Sequence, residues 1–138
     1  MTRMNDRFQW RNVRLVPILH NRMEFALEVR RQFREFRPDH VAVEYPSTIG
    51  EKILLGIKRL PLLSVIHYEE GDGTFIYLLI EPTDGQVEAI RLALEHNIPV
   101  HFIDRDSEFY PIDTSSMPDP YSIARIGHFN YCNSFLST

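Results

Sequence analysis

His20, Glu44, Glu81 and Asp104 each stand at the end of, or just after, a short apolar run that reads as a β-strand. In open α/β sheets, ligands bind outside the carboxyl ends of the strands. One imidazole and three carboxylates gathered there would make an acid/base site, or a site for a divalent metal held by His20 and Glu44. Arg105, between Asp104 and Asp106, would then steady developing negative charge. The catalytic candidates are thus Glu44, His20 and Arg105, and the ligand-binding candidates Glu81, Asp104 and Asp106. Glu44 closes the apolar run Val41-Ala42-Val43, where a buried acid would need a partner. If a helix opens at Asn21, His20 lies beside its positive end, which favours anions and a neutral imidazole.

Plainer readings stand beside these. His20 would be a loop histidine at the sheet edge. Glu44 would be solvated where a strand frays early. Glu81 would belong to the turn before a helix, and Asp104-Arg105-Asp106 would be a local ion-pair loop. His101 reads as a histidine on a sheet face, and His40, His67, His96 and His128 have no ligand spacing.

The elements that would position these groups follow from periodicity. Val13 to Leu19 reads as a strand, with Pro17 unable to donate to a ladder. Asn21 and Glu24 form a capping-box-like pair ahead of a helix whose apolar stripe is Phe25, Ala26, Val29, Phe33 and Phe36, and Pro38 ends it. His40 to Glu44 is a short strand. Ile49 to Leu60 is a helix weakened by Gly50 and Gly56. Leu62 to Glu69 and Thr74 to Ile80 flank Glu70-Gly71-Asp72-Gly73, a hairpin signal. Phe75 to Ile80 is apolar throughout, as for a strand covered on both faces. Thr83 or Asp84 caps a helix to about His96, with Gln86 completing a Thr-x-x-Gln box, and Asn97 suits its C′ position. Val100 to Ile103 is the last strand. A proline-punctuated stretch follows, and Tyr121 to Leu136 has room for a final short helix.

The order β-α-β-α-ββ-α-β implies an α/β fold: a three-layer domain with a mixed, mainly parallel sheet flanked by helices, and one β-hairpin. Its divisions are a polar N-terminal segment over 1–12, an α/β core over 13–106 and an irregular C-terminal segment over 107–138 that packs on the core or on a partner. A chain of 138 residues suits one domain, and its 43% hydrophobic and 25% charged content is ordinary for a globular protein.

The net charge of −4 and pI of about 5.8 argue against a nucleic-acid partner. The arginines at 22, 30, 31, 34 and 37 are interleaved with acids, as on a solvated helix face. Cys132 is the single cysteine, so no internal disulfide forms and a reduced, cytoplasmic setting is expected. The first twelve residues carry no apolar signal core, and no apolar run approaches the roughly 20 residues of a membrane span. Gly-x-Gly-x-x-Gly, P-loop and Gly-x-Ser-x-Gly motifs are absent, so no nucleotide cofactor and no serine elbow are expected. His-x-x-x-His and Cys-x-x-Cys are absent too, which leaves a closed zinc site without support.

Leu15-Val16-Pro17-Ile18-Leu19-His20, then a helix ending Phe36-Arg37-Pro38-Asp39, then Val41-Ala42-Val43-Glu44, resembles the opening of the TraB/Tiki/ChaN-like superfamily, which includes the erythromycin esterase type. That opening is a strand ending Gly-x-x-His, a helix, and a Pro-Asp-x-Val-x-Val-Glu strand. Ala89 to Ala93, through Ile98-Pro99-Val100, to Asp104-Arg105-Asp106 is similar to a later segment of the same superfamily. The resemblance covers roughly residues 13–106. It implies that His20 and Glu44 are site residues with Asp104 and Arg105 nearby, and that the activity is hydrolysis of peptides or esters, metal-dependent in some members. Pro17 stands at the motif's glycine, and His128 is the one candidate for its second histidine motif. The expectation is a hydrolase domain, metal-assisted through His20 and Glu44, acting on a small molecule or peptide. The alternative is a non-catalytic domain that binds a ligand, a protein partner or a second copy of itself. Tyr110, Tyr121, Phe129, Tyr131 and Phe135 would dock it.

Overall fold

The first helix, α1 (Met23–Phe36), buries Phe25, Ala26, Val29, Gln32 and Phe33, one stripe at helical spacing. The computed structural model that shows this describes residues 8–69, 73–106 and 118–136. The hairpin turn at 70–72, most of the N-terminal polar segment and the stretch 107–117 with Tyr110 lie outside the described residues. Helix α1 starts two residues later than its sequence cue. Asn21 adopts a φ of 58°, and Arg22 takes the N-cap position with no side-chain cap bond. The Asn21–Glu24 box therefore does not form. Arg37, with a φ of 53°, ends the helix by donating its N–H to the Phe33 carbonyl.

The strand expected over Val13 to Leu19 is mostly absent. Strand β1 (Gln9–Trp10) pairs antiparallel with β2 (Val13–Arg14), and the ladder stops there. Pro17 explains the stop in part, because it has no N–H to offer a neighbouring strand. Strand β3 (Val41–Pro46) pairs parallel with β6 (Val100–Asp104), Val41 opposite Val100 and Val43 opposite Phe102, with a register shift before Pro46 meets Asp104. Strands β4 (Ser64–Glu69) and β5 (Phe75–Ile80) form the expected hairpin, Ser64 opposite Ile80 and Glu69 opposite Phe75. The class is mixed α/β, and the strands of the described residues pair two by two, one pair parallel and two antiparallel.

Helix α2 (Gly50–Lys58) is shorter than its apolar run, and its glycines serve packing. A Cβ on Gly56 would stand 3.0 Å from Ile80 Cγ1, so glycine lets α2 lie close against β5. Helix α3 (Gly85–Glu95) is capped by Asp84, whose Oδ1 accepts the N–H groups of Gln86 and Val87 at 2.9 and 3.1 Å. The Gln86 side chain takes no part in a box, and its Oε1 has no partner. At the other end Asn97, with a φ of 57°, donates its N–H to Leu94, and Ile98 donates to Ala93. These two bonds are a Schellman closure.

Two apolar clusters result. One joins Val43, Tyr45, Ile49, Ile53, Ile57, Ile66, Ile80, Val87 and Ile90, between the β3–β6 pair, the hairpin, α2 and α3. The other joins Phe25 with Ile123, Tyr131 and Cys132. The last three come from α4 (Ile123–Phe135), which breaks at Gly127 (φ 79°) and packs on α1. Only one face of the hairpin is buried. Ile66 and Ile80 point inward, while Val65, Phe75 and Tyr77 are 62%, 53% and 71% exposed. The unbroken apolar run therefore does not mean two covered faces. Among the described residues no helix is long and apolar enough to cross a membrane.

Candidate functional site

Parallel pairing fixes which helix ends meet. Helices α1 and α3 run into β3 and β6 through short connections, so both helix N-termini lie at the carboxyl ends of those strands. His20 precedes α1 and Asp84 caps α3, and they meet there. His20 Nδ1 donates to Asp84 Oδ2 at 2.7 Å. A close approach makes the meeting tight: a Cβ on Gly85 would stand 2.8 Å from Ile18 Cγ2. The irregular segment carrying His20 thus lies directly over the first turn of α3.

The two partners differ in exposure. The Asp84 side chain is 3% exposed and the His20 side chain 54%. Among the described residues, Asp84 is fully engaged, one oxygen on the helix cap and the other on His20, while His20 Nε2 has no hydrogen bond. The His20 pKa lies above its ordinary value. The hydrogen bond to Asp84 is the main cause, burial opposes it, and the charges of Asp84 and Glu44 add to it. The helix-end effect expected to keep this imidazole neutral is outweighed by a carboxylate in direct contact. Burial pushes the Asp84 carboxyl up, yet the His20 bond and the Val87 and Gln86 N–H groups hold it below the usual carboxylate range.

The Tyr45 hydroxyl lies within electrostatic reach of this carboxylate. The Tyr45 hydroxyl is buried without a hydrogen-bond partner, and burial and the charge of Asp84 both push its pKa up. Gln86 Oε1 is likewise buried and unpartnered.

The other sequence candidates are placed as follows. Glu44 is exposed in β3, and its charge reaches His20. Glu81 is half-buried, and its carbonyl accepts the Asp84 N–H in the turn leading to α3. Asp104 is exposed and accepts the Arg105 N–H through its own Oδ1. Asp106 accepts the Thr48 hydroxyl, tying the end of β6 to the 3-10 turn Ser47–Ile49. Arg105 is exposed. No hydrogen bond or ion pair among the described residues links Glu81, Asp104, Arg105 or Asp106 to His20. His128 donates through Nε2 to the Pro17 carbonyl and packs edge-on against Phe25, a structural placement. Cys132 is buried, and burial raises its thiol pKa to about 11, so it is not a thiolate at neutral pH.

Asp84 is the residue that site reading from the sequence missed. It was legible as a helix cap, and a cap occupies one carboxylate oxygen. The second oxygen was the available signal. Two surface concavities are lined by neither His20 nor Asp84, one beside Phe8, Leu15 and His128 and one between α1 and α3 at Arg34 and His96. No protein-family model matches the chain, and neither the curated proteins nor the solved structures hold a match.

Proposed function

We propose that this chain is a hydrolase domain in which His20, oriented by Asp84, is the general base. The observation that carries the reading is the 2.7 Å bond from an exposed imidazole to a buried, otherwise saturated carboxylate. Asp84 holds the proton on Nδ1, so the Nε2 lone pair faces the substrate side. Nε2 takes a proton from water as that water's oxygen adds to the carbonyl carbon of an ester or peptide. The proton then passes to the leaving oxygen or nitrogen as the old bond breaks. Asp84 and Glu44 stabilise the imidazolium between those steps, since both raise its pKa. Tyr45 and Gln86 would orient the substrate's polar atoms. Arg105 and Asp104, with Glu81 and Asp106, would line the entrance. The resemblance of Leu15–His20 and Val41–Glu44 to the TraB/Tiki/ChaN-like superfamily supports the reaction class. The same reading keeps the three-layer architecture, with β3 and β6 as its parallel centre, and a cytoplasmic setting. Among the described residues no three His, Cys, Asp or Glu side chains gather as a metal group. A divalent cation would draw on His20 Nε2 and Glu44, and would supply a more acidic bound water.

The test is a screen of chromogenic esters and short peptides with wild type, His20→Ala and Asp84→Asn. His20→Ala is expected to lower the rate by about 10²- to 10⁴-fold. The wild-type rate should fall as pH drops through the raised His20 pKa, because the base must be neutral to act. Equal rates in all three proteins, or no turnover of any substrate by the wild type, would sink the proposal.

A second reading rests on the open hairpin face. Leu63, Val65, Phe75, Tyr77 and Leu79 are all exposed there, a contiguous apolar face of the kind that marks an interaction surface. Such a self-complementary apolar sheet face suits a second copy of this chain, stacked face to face. Tyr77→Glu with Val65→Glu should convert a dimer to a monomer in sedimentation while the circular dichroism spectrum is kept. A wild type that stays monomeric at high concentration removes this reading.

A further inference from the structure

His40 and His101 lie 61 positions apart in the chain, and the β3–β6 ladder brings them together. His40 directly precedes β3, and His101 is the second residue of β6, opposite Ala42. Their facing nitrogens, His40 Nδ1 and His101 Nε2, are 2.9 Å apart, and both side chains belong to exposed residues. We propose that the pair is a bidentate imidazole site for a transition-metal dication of the copper or nickel type.

The juxtaposition carries the argument. The facing nitrogens stand at hydrogen-bond distance, 2.9 Å, close to the roughly 2.9–3.3 Å between two nitrogens that share one ion at about 2.0–2.1 Å each. Imidazole suits copper and nickel, and copper binds such donors most tightly among the first-row dications. Binding then requires only that each exposed ring turn until both lone pairs aim at one point. The ring centroids are 5.1 Å apart and the planes meet at 39°, so the rings now touch end to end. The parallel ladder holds the adjoining backbone, with Val41 opposite Val100 and Ala42 opposite His101. One of the two rings now donates its N–H to the other, and the metal displaces that proton to the ring's other nitrogen. No net proton is released while both rings are neutral. Among the described residues no third His, Cys, Asp or Glu completes the set, so the remaining positions stay open to water or to a donor from another molecule. The site is separate from the dyad, which uses other residues at the opposite end of the same strands.

Calorimetric titration of the full chain with Cu²⁺ and with Ni²⁺ tests this, using wild type, His40→Ala, His101→Ala and His20→Ala. One equivalent should bind to wild type and to His20→Ala at about pH 7.5. Either alanine change at the pair should weaken it by about tenfold or more. Paramagnetic broadening should reach the ring signals of His40 and His101 first. Absent binding, binding unchanged in both pair variants, or binding lost in His20→Ala would each overturn the site. The last result would assign the metal to the dyad instead.

Discussion

Replacing both arginines that hold Glu88 with methionine is expected to destabilise the fold by about 3–5 kcal/mol at neutral pH. Glu88 is 1% exposed, in the first turn of α3. Arg30 of α1 donates to its Oε1 at 2.8 Å, and Arg91 donates to Oε2 at 2.8 Å and to Oε1 at 3.1 Å. The Arg30 bond joins α1 to α3, and the Arg91 bonds lie within α3. Methionine retains most of the apolar stem, so what the Arg30→Met, Arg91→Met variant loses is compensation of a buried charge. The asymmetry decides the choice of variant. Glu88→Gln leaves two guanidiniums that are 42% and 33% exposed and can hydrate, so it should cost only about 1–2 kcal/mol.

The pH dependence separates the two explanations for any loss. In the wild type burial raises the Glu88 carboxyl, and the bonds from Arg91 and Arg30 more than reverse this, holding its pKa below the ordinary 4.5. A depressed carboxylate adds stability that is present above its unfolded pKa and is lost as pH falls through the folded one. Without the arginines, burial raises the folded pKa instead. The variant should then regain stability on acidification through that pKa, opposite in slope to the wild type. Urea unfolding between about pH 4 and 8 reads both slopes. Parallel slopes would mean that Glu88 is solvated.

The second large effect is at Asp84. Asp84→Ala should cost about 2–3 kcal/mol, since it removes the cap of α3 and leaves the buried N–H groups of Gln86 and Val87 without their acceptor. Asp84→Asn keeps an oxygen for those donors and removes the charge facing His20. Its stability should lie closer to wild type, while the His20 pKa drops from its raised position. The sign of the dyad's own contribution follows from its two shifts. Asp84 is depressed, so its share is present above the ordinary 3.8 and is lost as pH falls through the folded value. His20 is raised, so its share is full below the ordinary 6.5 and is lost as pH rises through the folded value. The dyad therefore stabilises most between those two values, and Asp84→Asn should lose that maximum. Histidine ring titration by NMR together with thermal unfolding checks both halves. An unchanged His20 titration in Asp84→Asn would show that the bond does not persist in solution.

The alternation of helices and strands was readable in the sequence because it is local. The stripe of Phe25, Ala26, Val29 and Phe33 repeats at the helical period, Asp84 was one of two expected caps, and Asn97 closes α3 as its side chain predisposes it to do. Elements failed where local rules collided. Val13 to Leu19 has β-prone residues, but Pro17 interrupts their hydrogen bonding. Asn21 offers a cap and instead takes a left-handed conformation, leaving Arg22 at the N-cap. The apolar run of β5 leaves open whether one face or two are covered, because both arrangements use the same residues.

By itself, then, the sequence determined the mixed α/β class, the positions of the main helices and the hairpin. Tertiary structure alone decided that His20 takes Asp84 as its partner, 64 residues away, and that His40 meets His101. It also decided that Asp104 and Asp106 turn to Arg105 and Thr48. The physical reason is range. Periodicity and capping act over a turn or two of chain, whereas the pairing of two charges depends on strand register and on how closely Ile18 and Gly85 can pack.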